Sequence, residues 1–445
     1  MNDTIFAPAT PTGGPIAILR ISGEGAKAAL ARVFTGTIRP RYMAYGYFMA
    51  GDEKIDSCMA VFFQAPASYT GEDMAELFLH GGQAVVNRAL AVLSGLGLRP
   101  AEPGEFTRRA FLNGKMGLSE AEAVQDLIAA RARRGAASAM EQLRGALGQR
   151  IKALEDALLD ALSGIDAAID YPEELEEDVY GGLPEKLESI RAELSGLIAQ
   201  GRQGRVLREG ARVTILGLPN AGKSSLLNAL IGEERAIVTP DAGTTRDIVE
   251  AECAMEGVSI RLLDTAGLRE AADRAEKIGV DRALAAAEEA DLILLAVDGS
   301  VPIGEGERAL LQEKRQAPCI CVLCKTDLGP GMGAPGEEAR ALAEACGLPA
   351  LAVSAVTGEG LDALRKAIAE AVAPGGMESA LITNTRHVQA LEEALAALES
   401  AQVAPEGDCQ ATDLRAALTA LGAITGEEVD EAVVERIFSR FCVGK

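Results

Sequence analysis

The sequence predicts a multidomain chain of mixed α+β and α/β class. An N-terminal α+β unit is followed by a helical domain, interrupted by an inserted, doubly wound α/β domain with a phosphate-binding loop. Three observations carry this. Residues 1–117 hold short apolar stretches (16–21, 58–63 and 76–79) broken by Gly and Pro, as in a compact sheet-and-helix unit. Apolar residues then recur at 143, 147, 151, 154, 158, 162, 165 and 169, alternating steps that lay one stripe along long helices. From residue 211 to about 372, apolar strands alternate with amphipathic helices, which marks a parallel sheet covered on both faces.

Taken in order, the first unit ends near residue 117. Ser119 and Glu122 have capping-box spacing at the start of the helical texture. The acidic run YPEELEED (171–178) is expected to be a solvated loop ending that texture. Strands are expected at 213–218, 259–263, 292–297, 320–323 and 350–353. APGGMES (373–379) reads as a linker, after which Leu391, Leu395 and Leu398, then Leu414, Leu418 and Leu421, restore the helical pattern. The expected domains are therefore 1–117, 118–210, 211–373 and 374–445, with the second and fourth forming one helical domain around the third.

With 445 residues the chain has room for several cores. No apolar run approaches the ~18 residues of a membrane helix, and the first residues lack a basic stretch followed by an apolar core. Eight cysteines in a chain this long fit a reducing compartment, so a cytoplasmic protein with no membrane partner is expected. A net charge of −23 argues against broad nucleic-acid binding, which needs clustered cations. Residues 1–117 are nearly balanced, with 11 Lys/Arg against 10 Asp/Glu, so any RNA contact must be local or shared.

GLPNAGKSS (217–225) matches G-x-x-x-x-G-K-S between a strand and a helix. Backbone N–H groups from Asn220, Ala221, Gly222, Lys223, Ser224 and Ser225 would wrap phosphates. Lys223 would reach the β and γ oxygens, and the Ser224 hydroxyl would hold Mg²⁺. GTTRD (243–247) supplies Gly243, Thr244 and Thr245, the last a second Mg²⁺ ligand; DTAG (264–267) places Asp264 behind the metal and Thr265, Ala266 and Gly267 near the γ-phosphate. CKTD (324–327) has Cys where Asn-Lys-x-Asp would have its Asn. Asp327 would accept from the guanine edge and Lys325 would pack on the ring, while Cys324 offers only a weak S–H. Ser354 and Ala355 stand where a backbone N–H would meet the guanine oxygen. GTP is thus expected, held one to two decades more weakly for the loss of one hydrogen bond worth about 1–3 kcal/mol. Cys319, Cys321 and Cys324 spell C-x-C-x-x-C, for which core packing is the expectation over metal binding. Leu268 follows DTAG where many small G proteins carry a water-orienting Gln, so hydrolysis must be organised differently.

The flanks point to a family. SYTGEDMAELFLHGG (68–82), PGEFTRRAFLNGKMGLSEAEAVQDLI (103–128), LREGARVTILGLPNAGKSSLLNAL and FCVGK (441–445) closely resemble the MnmE (TrmE) family of tRNA-modification GTPases, over essentially the whole chain. The resemblance implies an N-terminal tetrahydrofolate-binding and dimerisation domain, a helical domain and an inserted G domain. It implies a homodimer that joins a flavin-dependent MnmG-type partner in a heterotetramer and modifies carbon 5 of the wobble uridine of tRNA. A 5-formyl- or 5,10-methylene-type tetrahydrofolate would supply the one-carbon unit at Arg20, Glu76, Lys115 and Lys445. A K⁺ ion held by Asn220, Thr239, Asp241 and Thr244 would stand in for an arginine finger. Glu276 would orient water, with Arg269 supporting the switch. Cys442 would act either covalently or by placing Lys445. Without the resemblance, Arg20, Lys115 and Glu276 read as surface charges; His80 and His387 are too far apart in sequence to suggest a catalytic pair, and His80 reads as structural. Three departures stand out: PTGGP (11–15) lacks the family's Arg, Asp241 replaces an apolar residue, and Cys324 replaces Asn. The competing readings are a GTP-dependent assembly switch, as in ribosome maturation, without one-carbon chemistry, and a scaffold retaining a G domain.

Overall fold

The computed structural model describes residues 3–232, 250–264, 288–328, 334–375, 380–404, 407–427 and 431–444. The chain divides into two compact units, one of Met1–Gln125, Gln142–Pro172 and Pro405–Lys445, the other of Asp126–Glu141 and Glu173–Ala404. No described helix is long and apolar enough to cross a membrane.

In the first unit a six-stranded sheet runs β3-β4-β5-β2-β1-β6. Its strands are β1 (Ile5–Pro8), β2 (Ile16–Ser22), β3 (Ala44–Ala50), β4 (Glu53–Phe63), β5 (Met74–His80) and the short β6 (Arg99–Pro100). The apolar stretches at 16–21, 58–63 and 76–79 lie in β2, β4 and β5. Alternation sorts their side chains: Ala17, Leu19 and Ile21, with Ala75, Leu77 and Leu79, share one core with Leu30, Val33, Val86 and Leu93 of the helices Ala26–Val33 and Gln83–Gly95. The other face carries a row in register, Tyr45 opposite Met59, Met59 opposite Phe78, and Phe78 opposite Ile18. Tyr45 is 67% exposed and Met59 45%.

The helices of this unit depart from expectation at two points. Helix Leu118–Ala129 begins one residue before Ser119, and Glu120 Oε2 accepts from the Gly117 N–H at 2.9 Å. The reaching-back carboxylate is therefore Glu120; Ser119 and Glu122 are buried inside the helix. The apolar stripe is also cut. Leu143 ends the helix Arg133–Leu143, Gly145 turns the chain at φ 84°, and Leu147 to Ile165 line the next helix, Ala146–Asp170. That helix packs on Gly407–Thr425 through Leu414, Ala417 and Leu421, while Ile169 at its end is 40% exposed.

The expected loop at 171–178 is helical instead: Pro172–Glu209 is one 38-residue helix. Pro at a first helical position lacks only an N–H that would be unpaired there anyway, and acidic residues suit the positive end of the helix dipole. Leu187, Ile190, Leu194 and Leu197 are its buried positions. Gly204 allows close approach of a neighbouring strand of chain, since a Cβ there would stand 1.7 Å from the Ile382 carbonyl oxygen.

In this second unit, β7 (Ala211–Gly217), β9 (Val258–Asp264), β10 (Leu292–Asp298), β11 (Cys319–Cys324) and β12 (Ala350–Ala352) are parallel, as the alternation indicated. An antiparallel edge strand, β8 (Glu250–Met255), was not expected. It joins β9 through the two-residue turn Glu256-Gly257, whose φ values of 48° and 79° are the left-handed pair of a type I′ hairpin. The sheet order is β12-β11-β10-β7-β9-β8.

Candidate functional site

β7 delivers the chain into Gly217 and the loop to Gly222, from which helix Lys223–Ile231 departs. Two positions require their backbone freedom. Gly222 has φ 98°, and a Cβ on Gly217 would lie 2.4 Å from the Ala296 carbonyl oxygen. Asn220 adopts φ 67°, a left-handed conformation that Asn tolerates, and is exposed. Successive N–H groups in such a loop make an anion cradle at a helix N-terminus. Lys223 is buried, and its Nζ donates to the Gly217 and Leu218 carbonyls at 3.0 and 2.9 Å, which holds the ammonium over the loop. Ser224 and Ser225 lie exposed in the first helical turn, so a hydroxyl stands where a phosphate-bound Mg²⁺ needs one.

The base-side loops converge on this cradle. Lys325, at φ 62°, donates from Nζ to the Asn220 carbonyl at 2.6 Å and to Asp298 Oδ2 at 2.7 Å. Asp298 is a residue that sequence reasoning missed; the signal was VDGS at the strand end, where its Oδ1 accepts from the Ser300 N–H and hydroxyl. Burial pulls the Asp298 carboxyl upward, but hydrogen bonds from Lys325 and Ser300 outweigh it and hold it below the usual carboxylate range. Buried Ser354 donates to Asp327 Oδ1 at 2.7 Å, and its Oγ accepts from the Val356 and Thr357 N–H groups. The exposed Asp327 carboxylate is thereby oriented by the loop carrying Ser354 and Ala355.

Cys324 is 5% exposed, its Sγ donating weakly to the Val322 carbonyl at 3.7 Å. A Cβ on Gly222 would stand 3.3 Å from Cys324 Cβ, so the thiol packs directly beneath the phosphate loop. Burial, together with the Asp298 charge, pushes the thiol up to about 12, which keeps it neutral. Cys321 faces the core of Leu295, Leu323 and Ala343, whereas Cys324 faces that of Ile215, Leu226 and Val353. Strand alternation thus puts these two thiols on opposite sides of the sheet.

Asp264 ends β9. Thr239, Asp241, Gly243, Thr244, Thr245, Thr265, Ala266, Gly267, Arg269, Glu276 and Lys445 lie outside the described residues.

A second constellation lies in the first unit. Arg20 and Glu76 are cross-strand partners on β2 and β5, and Arg20 Nε donates to Glu76 Oε1 at 2.9 Å. Arg20 Nη1 donates to the Gly444 carbonyl at 3.2 Å. The guanidinium lies 5.3 Å from the centroid of the Tyr69 ring and 5.6 Å from that of Phe106, and Tyr69 OH shares a 2.9 Å hydrogen bond with Thr107. Tyr69, Phe106 and Thr107 are residues whose part in this cluster no local spacing revealed.

The segment 442–444 is seated by backbone. The Gly104 N–H donates to the Cys442 carbonyl, Pro103 bridges Val443, and a Cβ on Gly444 would stand 2.0 Å from the Pro8 carbonyl oxygen. Cys442 is exposed. Lys115 Nζ donates to the Pro66 carbonyl at 3.0 Å rather than to Glu76. His80 pairs with Asp56 at the sheet surface, and His387 is buried beside Arg386 in the other unit.

Residues 4–115 match the family described as GTP-binding protein TrmE N-terminus, and 118–442 match the MnmE helical domain. A "tRNA modification GTPase MnmE" of Thermus thermophilus is 44% identical over the full length of both chains. Its counterparts from Symbiobacterium thermophilum (43% identical; all of both chains) and a Synechococcus (42%; all of this chain, 99% of that one) are similar. Among solved structures, the G domain of the T. maritima FeoB iron transporter is 30% identical over 36% of this chain and 98% of its own, with a TM-score of 0.27. With family matches over both units and relatives aligned end to end, this chain belongs to the MnmE (TrmE) family of tRNA-modification GTPases.

Proposed function

We propose that this chain hydrolyses GTP and uses the cycle to modify carbon 5 of the wobble uridine of tRNA, with a one-carbon unit drawn from a tetrahydrofolate. The observation that carries the one-carbon part is the Arg20 cluster. A guanidinium fixed by Glu76, two aromatic rings and the Gly444 carbonyl is a costly arrangement for a surface charge and a suitable one for a folate carboxylate or pterin edge. An assembly switch without one-carbon chemistry has no use for it.

At the nucleotide site, Asn220 to Ser225 would cradle the phosphates, Lys223 would swing from its carbonyl partners to the β and γ oxygens, and Asp327 would read the guanine edge. Mg²⁺ bound at Ser224 and Thr245 would neutralise developing phosphate charge. Asn220, Thr239, Asp241 and Thr244 are the proposed K⁺ ligands, Glu276 the residue that orients water and Arg269 its support. The sequence divides functionally at 1–117, 118–210, 211–373 and 374–445.

A homodimer formed through the N-terminal sheet is supported by the uncovered row of Tyr45, Met59, Phe78 and Ile18. Arg20 and Glu76 lie on that same sheet face, two residues from Ile18 and Phe78, so a second copy would help enclose the folate. A flavin-dependent MnmG-type partner and a cytoplasmic location complete the reading. Mass analysis of wobble uridines from cells lacking the chain tests it: a lost C5 substituent is expected, and unchanged nucleosides would overturn it.

A further inference from the structure

In the second unit, the helix Arg133–Leu143, the turn Glu256-Gly257 and the helix Leu361–Val372 enclose a cleft of about 500 Å³ lined by Arg133, Arg134, Glu256, Lys366 and Glu370. None of these residues belongs to the nucleotide site. Arg134 is fixed at both ends: its N–H donates to the Gly257 carbonyl and its Nη1 to the Ala373 carbonyl, each at 2.9 Å. Gly257 keeps the turn close, since a Cβ there would lie 3.2 Å from Arg134 Cγ.

Arg134 is only 7% exposed, yet its Nε and Nη2 have no hydrogen-bond partner among the described residues. Those two nitrogens form the edge of a guanidinium that matches two oxygens of one oxyanion. A buried charged donor left unmet costs more than the ~1–3 kcal/mol of a neutral one. The lining sets three cations against two carboxylates, a local positive balance in a chain of net charge −23.

We propose that this cleft binds a phosphate-type oxyanion, with the Nε/Nη2 edge of Arg134 as its receptor and Arg133 and Lys366 as supporting charges. The two nitrogens lie beneath the cleft surface. An oxyanion reaches them only if the lining rearranges, and the lining includes Lys366 and Glu370, exposed, long side chains one turn apart on a single helix. Glu370 opposes binding by repulsion; burial pulls the Arg134 guanidinium below its ordinary value, and the Glu370 charge counters that only in part.

The test uses the full chain saturated with GDP and Mg²⁺, so that the phosphate loop is filled, and titrates inorganic phosphate by calorimetry at fixed ionic strength. Arg134→Lys keeps the charge and removes the fork, and binding should weaken at least tenfold. Glu370→Gln, at an exposed position, should tighten binding several-fold, which keeps the proposal testable if Arg134→Lys fails to fold. Absence of phosphate binding in the wild type, or equal affinity in all three proteins, overturns it. A parallel tRNA titration separates the sources. If Arg134→Lys lowers tRNA affinity in step with inorganic phosphate affinity, the phosphate belongs to an RNA backbone. If tRNA binding is unchanged while inorganic phosphate binding weakens, the ligand is a free phosphate.

Discussion

Replacing Cys324 with Asn tests how much of nucleotide affinity this position controls. The thiol has one weak contact, to the Val322 carbonyl at 3.7 Å, and sits beneath Gly222. An Asn amide would add a hydrogen bond to the base or to the phosphate loop, worth about 1–3 kcal/mol in a partly buried site. It must also fit two more heavy atoms into a position only 5% exposed, and overpacking of this kind costs ~1–3 kcal/mol. The edge facing the base pocket should relieve much of that strain. Cys324→Asn should therefore bind GDP about tenfold more tightly, equivalent to ~1.4 kcal/mol, with a modest loss of thermal stability. Displacement of a fluorescent GDP analogue, read beside a melting curve, measures both. ATP should compete poorly against either protein, because Asp327 accepts from guanine donors. Unchanged or weaker affinity in a protein of wild-type stability would refute the reasoning. It would mean that the Lys325 bond to the Asn220 carbonyl already supplies all the stiffness the loop needs.

Lys325→Met removes both that 2.6 Å bond and the ion pair with Asp298; GDP affinity by the same assay should fall at least tenfold, and an unchanged value would sink the assignment. Gly444→Ala puts a Cβ 2.0 Å from the Pro8 carbonyl oxygen, so the tail should unseat. Folate affinity, measured by calorimetry, should drop several-fold while GTP turnover stays near wild type. The Asp298 carboxyl lies lower in the folded chain than its free value of 3.8. Its contribution to stability is thus present above that value and lost as pH falls through the depressed one. Asp298→Asn should therefore flatten the acid limb of the stability curve below about pH 4, measured by urea unfolding across pH; an identical limb would contradict the ion pair's role.

Motifs whose chemistry is local were legible in the sequence. Gly217 to Ser225 needs its residues consecutively, and β7, β10 and β11 are apolar runs that declare themselves. Features made by distant chain segments were not. Asp298 matters because Lys325 reaches it from the next strand, and Tyr69 and Phe106 matter because Arg20 lies between them. β8 is not legible in the sequence because it is only six residues long and mixes Glu250 and Glu252 with Ala251 and Ala254 around the buried Cys253 and Met255. The helix through 172–178 is ambiguous in sequence, because an acidic run fits a solvated loop, while Pro at a helix start followed by acids is also what a helix N-terminus favours. The capping box slipped because Gly117 has no side chain to announce it, leaving only the Glu120 half of the exchange.

The bond from Arg20 to Gly444 spans 424 residues of sequence, which gives the cluster a place in the order of synthesis. At ~5–20 residues per second, a ribosome makes the second partner roughly 20–85 s after the first. During that interval Arg20 has Glu76, Tyr69 and Phe106 but not its carbonyl acceptor. A message cut short anywhere between the phosphate loop and codon 444 would yield a chain with that loop and an unfinished Arg20 cluster. On the proposed function, nucleotide turnover would persist in such a product while one-carbon transfer would not, so GTP hydrolysis alone would be a poor assay of intact chains.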